Sequence, residues 1–181
     1  KERIIQMGED PSWVYNFGSL DCEFAVMVEK KRLIEDPYIL VLHHEIKGEA
    51  GSYTKVIEAV KKTGLKHVSV KSNNDFVDAQ GTNQFSPENF IRLLWGAECI
   101  VGNSSSGIKE SSILGVPAIN VGQRQQGRHK PKNVIDTSFA NIEEAIKLVI
   151  NSKSFFGLGA VYEDYYKPDT AKNIANILLN L

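Results

Sequence analysis

Three consecutive serines and a glycine, Ser104-Ser105-Ser106-Gly107, follow the short apolar run Ala97–Gly102 and the single residue Asn103. Hydroxyls and backbone N–H groups crowded into such a turn suit an anion, because the first N–H groups of a helix have no partner inside it. An ordinary ST turn and N-cap give the same pattern, so the turn alone does not decide. One strand further on, Gly122-Gln-Arg-Gln-Gln-Gly-Arg128 offers Arg124 and Arg128, which taken alone read equally well as solvated charges. A guanidinium fork facing a Ser/Gly turn can close over a phosphate, and that placement favours Arg124.

Glu110, one turn into the following helix, is either a partner for the helix N-terminus or a carboxylate accepting from sugar hydroxyls. His43 and His44 close an apolar run. Adjacent residues of a strand point to opposite faces, so one is packed and one is presented to the crevice, and the pair does not chelate one metal. A histidine beside a diphosphate can donate to it or protonate a leaving oxygen. Cys22, Cys99 and the four histidines show no ligand spacing, so neither metal nor cofactor is expected. A Gly-rich dinucleotide fingerprint and a Walker lysine are both missing from the sequence.

These residues must be positioned by a sheet. Tyr38–Leu42 reads as a fully buried strand; His67–Val70, Ala97–Gly102, Val116–Val121 and Asn133–Asp136 are further strand candidates, and Trp13–Phe17 alternates like a short one. Between them lie amphipathic stretches at Asp21–Ile34, ended by Pro37, and Ser52–Lys62, ended by Gly64. A helix opens at Ser86-Pro87, another runs from the serine turn to Gly115, and Asn141 and Asp169 stand where they would cap two more. The polar stretch 72–86 reads as a surface loop. Strands alternating with helices predict an α/β fold, a Rossmann-like parallel sheet with helices on both faces. In such sheets ligands bind beyond the carboxyl ends of the strands, where His44, Ser72–Asp75, Asn103–Gly107 and Arg124 all fall.

With 181 residues, 42% of them hydrophobic and a net charge of −1, the chain suits one domain and lacks the basic excess of a nucleic-acid binder. No apolar run approaches a membrane span and no leader pattern opens the chain. Two isolated cysteines favour free thiols in a reducing, cytoplasmic setting. Lys1-Glu-Arg-Ile-Ile reads as the tail of an element begun earlier. Trp95 and the aromatics near Tyr165 leave room for an interface between copies.

The segments Val101-Gly-Asn-Ser-Ser-Ser-Gly-Ile-Lys-Glu110, Leu114-Gly-Val-Pro-Ala-Ile-Asn-Val-Gly-Gln-Arg-Gln-Gln-Gly-Arg128 and Asn133-Val-Ile resemble the UDP-N-acetylglucosamine 2-epimerases. The Gly-x-Arg-Gln-x-Gly-Arg loop is similar to that of the hydrolysing branch, which includes the epimerase half of the bifunctional epimerase/kinase. Met7-Gly-Glu-Asp and Val14-Tyr-Asn-Phe-Gly-Ser19 resemble the family's interdomain stretch. His43-His44-Glu45 stands in place of the family's His-Pro, and Val161-Tyr-Glu-Asp-Tyr-Tyr166 in place of its Tyr-Gly-Asp-Gly.

The resemblance implies the C-terminal, nucleotide-binding half of a GT-B-type protein, with residues 1–20 as an interdomain segment and an N-terminal Rossmann domain elsewhere. On that basis Ser104 and Ser105, with Ser106 and Gly107 of the same turn, hold the UDP phosphates, and Glu110 the ribose hydroxyls. Arg124 lies near the nucleotide, Phe90 against the uracil and Asn73 in the cleft, while His44 reaches the diphosphate and assists its departure. The implied reaction eliminates UDP and then adds water with inversion at C2. It gives N-acetylmannosamine or a related sugar of sialic acid biosynthesis, without a metal or cofactor. The partner implied is a small-molecule nucleotide sugar, with neither nucleic acid nor membrane, and this chain alone is expected to bind UDP weakly without turnover. A GT-B glycosyltransferase half and a non-catalytic nucleotide-sugar module are the alternatives.

Overall fold

The computed structural model describes residues 1–70, 85–152 and 165–180. Among these, five strands form a wholly parallel sheet: β1 (Tyr38–Leu42), β2 (Lys66–Ser69), β3 (Cys99–Gly102), β4 (Ala118–Val121) and β5 (Val134–Thr137), in the spatial order β2-β1-β3-β4-β5. Every residue of β1, β3 and β4 is buried, as strands covered on both faces are, with Asn120 of β4 the one amide side chain among them. Alternation sorts their side chains into two cores. Ile39, Val41, Val101 and Ile119 meet α3 (Ser52–Lys62) and α6 (Ile142–Asn151), whereas Tyr38, Leu40, Leu42 and Ile100 meet α4 (Pro87–Gly96). The expected α/β, Rossmann-like arrangement is therefore the one observed.

The helix ends show which local signals govern. Ser86 accepts from the Asn89 N–H at 3.3 Å, the N-cap bond expected of Ser before Pro87. Gly115 closes α5 (Lys109–Leu114) in the left-handed region at φ 67°. Asn141 and Asp169 occupy N-cap positions, but neither side chain makes the cap bond. Instead Glu23 of α2 (Leu20–Met27) reaches across and accepts from the Ala171 N–H of α7 (Thr170–Leu179) at 2.9 Å.

Two expected elements are corrected. The stretch expected as a helix over Asp21–Ile34 stops at Met27, because Val28 turns extended and the Lys30 ammonium donates to the carbonyls of Ala25 and Val28 at 2.5 and 2.7 Å. That cation takes over helix-terminal acceptors that a further turn would have used. Trp13–Phe17 is not a strand. Pro11–Trp13 is a 3₁₀ turn capped by Asp10, and the chain beyond it bonds to a distant segment: Lys167 donates to the Asn16 carbonyl at 3.1 Å and Thr170 to that of Phe17 at 2.5 Å. The Tyr15 and Phe17 rings stack with centroids 5.6 Å apart. The short helix α1 (Glu2–Gln6) precedes this segment. Cys22 and Cys99 are buried thiols outside any disulfide, and no helix among the described residues is long and apolar enough to cross a membrane.

Candidate functional site

The strand order reverses at β1, whose neighbours are β2 on one side and β3 on the other. Crossovers on opposite sides of such a point leave a crevice beyond the carboxyl ends of the strands. Here β1 and β3 run close together, with Leu42 opposite Gly102. Gly102 has φ 147°, and a Cβ added to it would lie 2.0 Å from the Leu42 carbonyl oxygen. Only glycine fits this approach.

Immediately beyond, the two strand ends are locked by one side chain. Asn103 Oδ1 accepts from the His44 N–H at 2.7 Å and Asn103 Nδ2 donates to the His44 carbonyl at 2.9 Å. A buried amide thus supplies the paired donor and acceptor of one more rung of parallel ladder. The Asn103 carbonyl accepts from Arg124 Nη1 at 3.0 Å and from Gln125 Nε2 at 2.8 Å. The arginine loop and the serine turn consequently meet on the same side of the sheet.

The serine turn differs from its expected form. Ser105–Gly107 is a 3₁₀ turn and α5 starts only at Lys109. The Gly107 and Ile108 N–H groups bond back to the carbonyls of Ser104 and Ser105, and the Ser106 N–H to Ser104 Oγ at 3.3 Å. Those donors are used within the turn, so hydroxyls carry more of any anion binding than an open helix end would suggest. Ser104 Oγ, as an acceptor from Ser106, keeps its own proton to donate. Ser106 Oγ donates to Glu110 Oε1 at 3.2 Å, and the Ser105 residue beside it is half-buried.

Glu110 is 8% exposed, and no described residue donates to its Oε2. Burial lifts its carboxyl above the ordinary value; the Lys109 ammonium opposes that rise and Asp21 adds to it. Lys109 is itself held by Asp21 at 2.5 Å. Burial, reinforced by Glu110, pushes the neighbouring Cys22 thiol up to about 11, so that sulfur stays an inert thiol. That oxygen is buried beneath the serine turn, so the carboxyl meets any ligand through its edge next to Ser106 rather than through an open face.

Asn120 of β4 is buried: with Leu42, Gly102, Ser104 and Gly107 it bounds a tight gap under the serine turn that has no room for a water molecule, and its Nδ2 donates to Asp136 Oδ1 at 2.7 Å. Of the adjacent histidines, His43 is buried, with Nε2 3.0 Å from Ser52 Oγ and its ring edge-on to Phe139. His44 is half-buried at the crevice, the division of roles expected of adjacent strand-end residues. Arg124 and Arg128 are both exposed, and Arg124 alone touches the turn. Phe90 lies in the first turn of α4, half-buried against both Ile91 and the core under Leu93 and Leu94. Asn73 and most of the loop expected over 72–86 lie outside the described residues.

Sequence reasoning placed Asn103 at the strand end with the serine turn but gave it no bonding role, and it passed over Gln125 and Asn120. Asn103 stands directly after an apolar strand, where its amide reaches the neighbouring strand end, whereas Asn120 lies inside β4 and bonds to Asp136 of β5.

The family model described as UDP-N-acetylglucosamine 2-epimerase matches residues 1–179 of the chain. A Neisseria meningitidis UDP-N-acetylglucosamine 2-epimerase is 31% identical over 181 aligned residues, covering 80% of this chain and 46% of that protein. A Campylobacter jejuni GDP/UDP-N,N'-diacetylbacillosamine 2-epimerase (hydrolyzing) is 26% identical, covering 86% of this chain and 48% of that protein. The chain thus spans about half the length of the curated relatives it matches. In fold it is similar to the S. aureus MnaA structure with UDP, at TM-score 0.75 and 16% identity, over 99% of this chain and 57% of that one.

Proposed function

The chain belongs to the UDP-N-acetylglucosamine 2-epimerase family, and from that premise we propose that it is the UDP-binding half of a hydrolysing epimerase. The observation that carries this reading is the double capture of the Asn103 carbonyl by Arg124 and Gln125. It sets a guanidinium beside the Ser104–Gly107 turn, and among the described residues no carboxylate pairs with it. A diphosphate seated there receives the Ser104 and Ser105 hydroxyls from one side and Arg124 from the other. Ribose hydroxyls donate to Glu110 at its edge next to Ser106. His44, at the crevice edge, protonates or hydrogen-bonds the departing diphosphate, and Arg124 stabilises the charge that develops on it.

Elimination of UDP with loss of the C2 proton, followed by hydration with inversion, would need acidic groups from the remainder of a longer protein. Alone, the chain binds UDP weakly and turns nothing over. The hydrolysing branch is supported by the Gly122–Arg128 loop pattern and by the similarity to the C. jejuni hydrolyzing 2-epimerase. Titration calorimetry with UDP tests the site: Arg124→Ala should cost about 1.5–3 kcal/mol of binding free energy if the guanidinium contacts phosphate. Unchanged affinity removes Arg124 from the site.

A further inference from the structure

The loop that carries Arg124 has little structure of its own. Between Gly122 and Arg128 its internal backbone bonds are two tight turns, Gln126 N–H to the Gln123 carbonyl at 2.9 Å and Arg128 N–H to that of Gln125 at 3.3 Å. Gly122 and Gly127 both sit at positive φ. Such a segment holds a shape only through contacts made to it.

On its inner side those contacts are Arg124 and Gln125 to the Asn103 carbonyl. On its outer side they come from the two ends of the chain. Arg3 of α1 donates from Nη1 to the Gly127 carbonyl at 2.6 Å, and the Tyr165 hydroxyl donates to the His129 carbonyl at 2.7 Å. Tyr165 is fixed in turn, since its carbonyl accepts from the Ser19 N–H at 2.8 Å. The seam continues through Lys167 to Asn16 and Thr170 to Phe17.

We infer that Arg3 and Tyr165 are positioning residues: together they grip the Arg124 loop from outside and hold it in the conformation that takes a nucleotide diphosphate. Both bonds end on main-chain carbonyls that flank Arg128. They fix the course of the backbone while leaving the side chains of Arg124 and Arg128 clear. A loop that is only partly in its competent shape binds its ligand more weakly in proportion to the missing fraction. The ligand side of this inference rests on the proposed diphosphate site; the grip itself does not.

The test uses the 181-residue chain and its Arg3→Ala, Arg3→Lys and Tyr165→Phe variants. Amide hydrogen exchange over residues 123–129 without ligand reads the grip, and titration with UDP reads its consequence. Arg3→Ala and Tyr165→Phe should each speed exchange across the loop and raise the UDP dissociation constant by roughly three- to tenfold. Melting temperatures should stay at the parent value, and Arg3→Lys, which keeps a cationic donor, should recover part of the protection. Loop exchange at the parent rate in both variants overturns the inference, and so does faster exchange with unaltered UDP affinity. A parent chain that fails to bind UDP sinks the proposed function instead, and the exchange rates then decide the grip alone.

Discussion

At Glu110 two demands on a carboxylate conflict. Burial favours the protonated form, whereas accepting from ribose hydroxyls requires the ionised one. A carboxyl whose pKa is raised on folding binds its proton more tightly in the folded chain. Its contribution to stability is therefore most favourable below the unfolded value near 4.5 and declines as pH rises through the raised folded value. UDP affinity should run the other way, weakening as pH falls through that window. Glu110→Gln should abolish this pH dependence, leave the chain as stable or more so at neutral pH, and weaken UDP about tenfold by loss of a charge-assisted acceptor. Calorimetry between pH 5 and 8, taken as a roughly bracketing range, checks both parts. An unaltered affinity profile in the variant would remove Glu110 from the ligand site. Gly102 poses a purely steric demand. Gly102→Ala must move the Leu42 carbonyl or the β3 backbone, and denaturant unfolding should show a loss of at least about 3 kcal/mol.

At the scale of elements, the crevice is an achievement of strand ends. Replacing Asn103 by Ala removes the amide that bonds the His44 N–H and carbonyl. The expected loss is about 1–3 kcal/mol in all, measurable as a lower denaturation midpoint, together with weaker UDP binding because the Arg124 loop loses its registry. Stability at the parent level would show that water replaces the amide without cost. The strands themselves were legible because β1 and β3 are continuous apolar runs and β4 is one interrupted only by Asn120, and the cap chemistry of Ser86 and Gly115 needed no tertiary help. The reading failed where distant chain overrode local pattern. Tyr15 and Phe17 alternate as a strand does, yet the carbonyls of Asn16 and Phe17 are taken by Lys167 and Thr170. Asp169 has the chemistry of a cap, yet Glu23 makes the bond. The serine turn and Arg124 could be paired from their positions after successive strands. Asn103 and Gln125 could not, since a polar residue bonding to remote backbone leaves no periodic trace.

At the scale of the whole molecule, apolar side chains remain uncovered near both chain ends: Met7, Trp13, Leu178 and Leu179 are 80, 65, 65 and 83% exposed. Trp95, by contrast, is half-buried. The same ends supply Arg3 and Tyr165 to the loop, so whatever adjoins them bears directly on the nucleotide site. If the proposed reaction is right, a protein that joins this chain to a proton-abstracting domain should release free UDP and a 2-epimerised sugar with no acceptor present. Product analysis by NMR distinguishes that outcome from glycosyl transfer, which would consume UDP-sugar only when an acceptor is added.

The rung that Asn103 adds between β1 and β3 touches position 44 through main-chain atoms alone. A fastening of that kind is indifferent to the identity of the side chain it secures. Chassis and tool are thus separable here: the imidazole can be exchanged for another reagent while the backbone that aims it stays clamped in place.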